Sequence, residues 1–393
     1  MAGHTMKRAG GLWEKICEPE NLRLAFWKAA KGKRDRDGVR HFSENLDAEI
    51  GAMRAGLLAG DFPVGRFSRF KVYEPKERTI HAAAFPERVL HHAIFNVGEP
   101  YFEQWLIADT FACRRGKGQF AAIARAREFA GRYGWFLKMD VRRCFESLSH
   151  DVLLELLARK FREPELLALF GRIVRCHEAA SGRGLPIGSL TSQHFANAYL
   201  GLLDRFVKDK LRCVGYVRYM DDFVVWADDK TELRHVREEV RGFLRGSLAL
   251  EFKIEPCPQR TVRGMDFLGF RIFPQTTRLA RRSKRRFARR CRAVEQAYAA
   301  GRITLRRLQA KVTALLAFVA HAESLGFRLS LFHPFGDGPQ GSNRVNRGGS
   351  WNNTVAHCRA ANRNTDTPSN RNNNLGFRLA LAPQLNPPAE AAG

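Results

Sequence analysis

The stretch Tyr219-Met220-Asp221-Asp222 places two adjacent carboxylates between two runs of strand-forming residues. The first run is Cys213-Val214-Gly215-Tyr216-Val217-Arg218, and the second is Phe223-Val224-Val225-Trp226-Ala227. This order predicts a hairpin with both acids at its tip. An isolated Asp-Asp pair is more often a solvated turn. Here, burying so much apolar surface around two acids is costly unless a cation is held there, which indicates a divalent metal.

A third acid ends another apolar run. Trp135-Phe136-Leu137-Lys138-Met139-Asp140-Val141 reads as a strand and is followed by Arg142-Arg143-Cys144-Phe145. Oxygen ligands suit Mg²⁺, and two such ions about 3.5–4 Å apart can activate a hydroxyl and stabilise a departing pyrophosphate. We therefore expect Asp140, Asp221 and Asp222 to form a catalytic triad that binds two Mg²⁺ ions.

The composition favours a polyanionic partner. The 393 residues carry a formal net charge of +26, and phosphates neutralised by Lys and Arg release counterions. Nucleic acid is favoured over a membrane, because no apolar segment approaches the roughly 20 residues that span a bilayer. The first residues lack the apolar core of a signal peptide, so we expect a cytoplasmic protein.

Neither the cysteines nor the histidines indicate a site. The eight cysteines show no Cys-x-x-Cys spacing, so neither a zinc site nor a disulfide framework is expected. Histidines are packed or exposed far more often than they are catalytic, and none is assigned a role here. The scattered histidines are His81, His91, His92, His150 and His194.

Hydrophobic periodicity divides the chain into four regions. Residues 1–60 are expected to form a helical extension, and residues 61–273 a mixed region with an antiparallel hairpin and helices on one face of the sheet. This order indicates the α+β class. Residues 274–333 predict basic helices that either grip a duplex backbone or present a solvated charged face. Residues 334–393 are rich in asparagine and poor in apolar residues, so we expect disorder or docking.

Taken together, Asp140, Phe145 and the Tyr219–Asp222 stretch resemble the motifs of a reverse transcriptase. The resemblance covers most of residues 67–330. It implies an RNA-directed DNA polymerase shaped as a right hand, with fingers, a palm containing a ferredoxin-like antiparallel sheet, and a helical thumb. Template RNA, the primer–template duplex with its cDNA strand, and dNTPs are the implied ligands.

The resemblance also implies residue roles. The backbone of Val141 would join the three acids at the metals, and Phe145 would exclude a 2′-hydroxyl unless it is a plain core aromatic. Backbone N–H groups after Asp140 would cradle the phosphates. The expected nucleotide contacts are Lys76, Arg78, Val141, Phe145, Ile187 and Gln193. The expected nucleic-acid contacts are Arg114, Arg115, Lys117, Lys284, Arg285 and Arg289.

The segment Gly184-Leu185-Pro186-Ile187-Gly188-Ser189-Leu190-Thr191-Ser192-Gln193 narrows the subfamily. Group II intron and retroviral enzymes usually carry glutamine where Ile187 stands and proline where Gln193 stands. The pattern here resembles the reverse transcriptase of a diversity-generating retroelement, which misincorporates opposite adenines while copying a template repeat. Such enzymes act with a small basic accessory variability protein. Ile187 is then expected to loosen base selection, or else it is simply packed.

The tail is similar to the end of the lectin-like domain that such elements diversify, which is related to formylglycine-generating enzymes. The similarity lies in Arg347-Gly348-Gly349-Ser350-Trp351-Asn352-Asn353 and in residues 370–379. The tail is interpreted as translated template repeat, or alternatively as a truncated fused lectin domain. A group II intron or retron reverse transcriptase and a non-catalytic RNA-binding protein remain the alternative functions, and a lectin-like protein is disfavoured by length.

Overall fold

The structure is a computed structural model that describes residues 9–73, 77–332, 344–347 and 363–366. Helices form most of the described chain. They are α1 Trp13–Cys17, α2 Pro19–Ala30, α3 Asp37–Glu44, α4 Leu46–Ala59, α5 Phe85–Glu103, α6 Gln119–Arg132, α7 Cys144–Ser147, α8 His150–Lys160, α9 Pro164–Arg175, α10 Leu190–Arg205, α11 Lys230–Ser247, α12 Arg281–Ala299, α13 Leu305–Val319 and α14 Leu325–Phe332.

The helix boundaries follow from local chemistry. Pro19 and Pro164 begin α2 and α9, where a missing N–H costs nothing. Asp229 caps α11 by accepting from the amides of Thr231 and Glu232. Gly60 ends α4 at a φ of 76°, in the left-handed region that glycine adopts without strain.

Eleven strands in the described residues form four antiparallel sheets. The strands are β1 Phe67–Val72, β2 Arg78–Ala83, β3 Trp135–Asp140, β4 Gly215–Tyr219, β5 Asp222–Ala227, β6 Gln259–Arg260, β7 Met265–Phe267, β8 Phe270–Ile272, β9 Thr277–Leu279, β10 Arg344–Arg347 and β11 Arg363–Asp366. The central sheet has the order β4-β5-β3-β6. The predicted hairpin is its β4–β5 pair.

Helices cover both faces of the central sheet, whereas the sequence suggested one. On one face Tyr216 and Arg218 bond to Asp204 of α10. On the other, Trp226 of β5 stacks at 5.5 Å against Phe129 of α6. The reason lies in the run from Phe223 to Ala227, which is apolar at every position and so buries both of its faces.

The first 60 residues belong to the main core. Leu22, Phe26 and Leu57 lie in the same buried cluster as Leu137 and Val225 of the central sheet. The region predicted as a separate extension therefore packs with the palm. By compactness the chain divides into residues Met1–Ser324 and Leu325–Gly393, so the first unit ends inside the region predicted as thumb.

The asparagine-rich tail contributes one described element, the antiparallel pair of β10 and β11, which the sequence did not predict. The rest of the predicted tail, including most of its asparagines, lies outside the described residues. Within the described chain, no helix is both long and apolar enough to cross a membrane.

Candidate active site

Three predicted acids meet at one end of the central sheet. The register of β3 and β5 sets Asp140 directly opposite Asp222, and that of β4 and β5 sets Tyr219 opposite Asp222. Met220 makes the turn with a φ of 55°, a strained value for a residue with a side chain. The amide of Val141 donates to the carbonyl oxygen of Asp221 at 3.3 Å, which joins the two acidic segments.

Burial makes the charges of this site costly. It raises the pKa of Asp221, with the charge of Asp140 adding to the effect, and it raises the pKa of Asp222 to about 6. Two lysines offset part of the cost: Lys138 Nζ lies 3.1 Å from Asp222 Oδ2, and Lys253 pairs with Asp140. Lysine ammonium groups thus supply the positive charge that these acids need.

The three carboxylates are the kind of oxygen ligand that a divalent cation takes. Oδ1 of Asp222 is buried and has no hydrogen-bond partner, which is unusual for a carboxylate unless a ligand completes it. Among the described residues, no group of three or more His, Cys, Asp or Glu side chains is arranged to hold a metal ion. Binding therefore requires Lys253 and Lys138 to yield their positions beside Asp140 and Asp222.

A buried ion pair contacts the turn at Met220, and it was not predicted from the sequence. Arg218 and Asp204 are both inaccessible to solvent, with Nε–Oδ1 and Nη2–Oδ2 distances of 2.6 Å. Arg218 Nη1 also donates to the Met220 carbonyl at 3.1 Å and to Asn197 Oδ1 at 2.9 Å. One guanidinium therefore ties α10 to the turn that carries Asp221.

Two neutral donors complete the pairing of Asp204. Tyr216 Oη donates at 2.6 Å and Thr110 Oγ1 at 2.7 Å. Burial, with the nearby charge of Asp204, raises the pKa of the Tyr216 phenol well above its usual value, so it stays a donor. The sequence signal was an arginine inside an otherwise apolar strand together with an aspartate inside the apolar helix α10.

The fingers strand β2 approaches the same site. Burial raises the pKa of Asp221, and the positive charge of Arg78 on this strand offsets part of that rise. The amide of His81 donates to the Ile187 carbonyl at 2.8 Å, and Ile187 is half-buried. Next to it Gly188 has a φ of 110°, and a Cβ there would lie 2.7 Å from Ile80. Lys76 lies outside the described residues.

The remaining predicted nucleotide contacts lie on the palm. Phe145 is half-buried against the core, and its carbonyl accepts from Leu185 at 2.7 Å. Gln193 is half-buried and lies 3.6 Å from the Cys113 thiol. The amides of Val141 and Arg142 bond to the carbonyls of Asp221 and Glu251, so they are not positioned to cradle phosphates as expected.

The predicted nucleic-acid contacts differ in exposure. Arg114 is mostly buried, and its guanidinium bonds to Glu103 and to the Ile107 and Thr110 carbonyls, so its role here is structural. Arg115 is 81% exposed. Lys117 lies 4.9 Å from the Phe111 ring centre.

The predicted thumb contacts share α12. Arg285 and Arg289 are exposed, and Lys284 is half-buried. Phe287 and Cys291 are buried residues of the same helix, and Arg285 and Arg289 are exposed. Both readings of this face made from the sequence are compatible with that placement.

Comparison with known proteins identifies two family matches. Residues 87–272 match the reverse transcriptase (RNA-dependent DNA polymerase) family, and residues 309–383 match the sulfatase-modifying factor enzyme 1-like domain. The first range contains the three acids, Arg218 and Ile187. The second begins in α13 and extends through most of the asparagine-rich tail.

The relatives cover the chain unequally. Protein YkfC of Escherichia coli is 24% identical over 62% of this chain and 76% of its own length. The group II intron-encoded protein LtrA of Lactococcus lactis is 21% identical over 64% of this chain but only 44% of its own length. A Candida albicans telomerase structure has a TM-score of 0.40 at 11% identity, over 64% of this chain and 56% of the telomerase.

Two predictions are confirmed by these findings: the α+β polymerase fold, and the enzyme class of RNA-directed DNA polymerase.

Proposed function

We propose that this RNA-directed DNA polymerase copies a template-repeat RNA into cDNA with errors concentrated opposite adenine, and that the cDNA replaces a variable repeat in a target gene. The observation that carries the proposal is the aliphatic Ile187, whose carbonyl accepts a hydrogen bond from the His81 amide of strand β2. The residue proposed to select bases is therefore bonded through its backbone to the strand that carries Arg78.

An apolar side chain at this position selects bases weakly. A site that hydrogen-bonds its substrate rejects a partner lacking the matching group by about 10⁴–10⁵, whereas an apolar pocket discriminates by only about 10–200-fold. Ile187 offers no side-chain hydrogen bond, so a mismatched base leaves no polar group of this residue unsatisfied. Shape alone then opposes a mismatch at this position.

The other site residues fit template copying. Asp140, Asp221 and Asp222, with the backbone of Val141, would hold two Mg²⁺ ions, which supply activation of the primer hydroxyl and neutralisation of the phosphate charge. Arg78, and by resemblance Lys76, would hold the triphosphate. Phe145, packed on the core, would lie under the sugar and exclude a 2′-hydroxyl.

The tail supports the proposed subtype independently of the palm. Its match to a sulfatase-modifying factor-like domain agrees with the resemblance to diversified lectin-like ends. Asparagine codons begin with two adenines, so an asparagine-rich stretch is rich in mutable positions. We propose that the 3′ end of this reading frame also serves as the template repeat. Absence of a near-copy, differing chiefly at adenines, from a neighbouring lectin-like gene would refute this.

The proposed ligands are template RNA, the primer–template duplex and dNTPs, in the cytoplasm. A small basic accessory variability protein is the proposed partner. Two basic proteins repel each other, and this chain has a net charge of +26. The accessory protein would therefore bind mainly through the RNA that both proteins contact.

Primer extension on an RNA template, followed by sequencing, tests the function. Wild type should extend the primer with errors opposite adenine, Asp221→Ala should not extend it, and Ile187→Gln should lower the adenine error frequency. An unchanged error spectrum in Ile187→Gln would refute the role of Ile187. The matched control is Ile254→Gln, which changes an exposed isoleucine away from the base-selecting loop.

A faithful reverse transcriptase of the group II intron type is the second candidate. The similarity to LtrA over 64% of this chain favours it. Extension without an excess of adenine errors, in the presence of the native template RNA and accessory protein, would select this candidate.

A further inference from the structure

An open cavity of about 600 Å³ lies beside the catalytic strand end, and none of the roles above uses it. Four arginines and two glutamates provide its charged lining: Arg142, Arg143, Arg183, Arg245, Glu146 and Glu251. Four positive charges against two negative ones leave a net positive cavity. Its volume falls within the range of about 300–1,000 Å³ that is usual for small-molecule sites.

A short backbone ladder connects this cavity to the catalytic acids. The amide of Arg142 donates to the Glu251 carbonyl at 2.8 Å, and Val141 lies opposite Phe252. The amide of Lys253 then donates to the Asp140 carbonyl at 2.9 Å. The cavity wall is therefore two residues from Asp140 on one strand and two from Lys253 on the other.

One of these arginines is anchored, whereas Arg142 and Arg143 are mostly exposed and pair with Glu251 and Glu146. Arg183 Nη1 donates to the carbonyls of Ser147 at 3.2 Å and Ala249 at 2.9 Å, which leaves the opposite edge of its guanidinium to a ligand. Arg143 and Ala249 both have positive φ, 42° and 50°. Such a conformation is strained for a residue with a side chain, and both residues line the cavity.

We propose that this cavity binds a polyphosphate chain, supplied either as the pyrophosphate that polymerisation releases or as the triphosphate of a waiting nucleotide. Arginine forks match phosphate oxygens in pairs, and each charge-assisted bond is stronger than a neutral one. The two glutamates disfavour a continuous nucleic-acid strand along the same wall. The proposal rests on the polymerase activity for the origin of the ligand, but not on adenine-directed errors.

Calorimetric titration of the full chain with pyrophosphate, in EDTA, tests the site directly. Without divalent metal the three catalytic acids repel pyrophosphate, and binding that also survives in Arg78→Met, which removes the proposed triphosphate contact outside the cavity, is assigned to the arginine cavity. Arg245→Met should raise the Kd about tenfold, and Arg143→Met should do the same. Arg234→Met is the matched control, because Arg234 is an exposed arginine of the same helix α11 that does not line the cavity.

Two further titrations distinguish the sources. If a dNTP binds as tightly as pyrophosphate and the same variants raise its Kd, the ligand of the cavity is a waiting nucleotide. If pyrophosphate binds and the dNTP does not, the ligand is the released product. An equal Kd in wild type, Arg245→Met and Arg143→Met would overturn the proposal, as would a loss of template RNA affinity with pyrophosphate binding unchanged. Because no polymerisation occurs in EDTA, these outcomes do not depend on the error spectrum.

Discussion

Replacing Arg218 by methionine tests whether the buried ion pair holds the catalytic turn. The change removes a guanidinium that is inaccessible to solvent and leaves Asp204, equally buried, with donors from Tyr216 and Thr110 only. Losing one partner of a buried pair costs about 3–5 kcal/mol, because the remaining charge is uncompensated. We expect Arg218→Met to lower the free energy of unfolding by that amount.

A second substitution separates the ion pair from packing. Asp204→Asn in the Arg218→Met background removes the uncompensated charge, so the double variant should regain more than half of the lost stability. The measurement is urea unfolding followed by circular dichroism. Arg159→Met is the control: its side chain is 65% exposed and pairs with Glu155, and a surface pair of this kind contributes about 0–1 kcal/mol.

The effect on catalysis should persist after stability is restored. The double variant still lacks the bond from Arg218 to the Met220 carbonyl, so the turn carrying Asp221 is held less firmly. A displacement of about 1 Å can cost about 100-fold in rate. We therefore expect primer extension to remain slow in the stabilised double variant, with a larger effect on kcat than on KM for dNTP.

Three results would refute this reasoning. An Arg218→Met variant within about 1 kcal/mol of wild type would mean that the buried pair contributes no more than a surface pair. A double variant as unstable as the single one would mean that lost packing, and not the stranded carboxylate, is responsible. Normal primer extension by the double variant would show that catalysis does not need the hydrogen bond from Arg218 to the Met220 carbonyl.

Three further predictions concern other parts of the chain. Gly188→Ala should lower the Tm and slow primer extension, because the new Cβ would lie 2.7 Å from Ile80. Gly242 is a helical position with no atom within 4 Å of an added Cβ, so Gly242→Ala should raise the free energy of unfolding by about 0.5–1 kcal/mol. His194 stacks on Phe95, and burial lowers its pKa to about 4. The stability that this neutral imidazole contributes is therefore present above about pH 6.5 and lost as the pH falls toward 4. In His194→Phe, the free energy of unfolding measured at a series of pH values should depend less on pH across that window. A chain ending at Gly341 should keep the Tm and extension rate of the full chain, and a loss of either would assign the tail a role in folding or catalysis.

The acidic end of the sheet was predictable because its pattern is local. The strand-forming runs around Asp221 and Asp222 predict the hairpin, and the run ending in Asp140 predicts its own strand. The pairing of the two strands is a tertiary contact, which only the search for a third metal ligand suggested. The helices of the palm were predictable for the same reason, since their apolar positions repeat along the chain.

Contacts between distant segments were not predictable. Arg218 and Asp204 are 14 positions apart, with the π-helical segment Phe206–Lys210 between them, and the sequence marks each as an unusual charge in an apolar element without showing that the two pair. The pairing of Lys253 with Asp140 joins residues 113 positions apart. The packing of the first helices against the palm likewise depends on tertiary contacts, which periodicity alone does not reveal.

The end of the compact unit at Ser324 has a consequence for how the gene can change. The last bonds of this unit are those of the Glu323 amide to Thr277 and of the Ser324 hydroxyl to Val319. The truncation at Gly341 therefore also bears on the gene: if the Tm is kept, codons of the tail can change as RNA, for pairing, copying or base content, while the enzyme encoded upstream keeps its sequence.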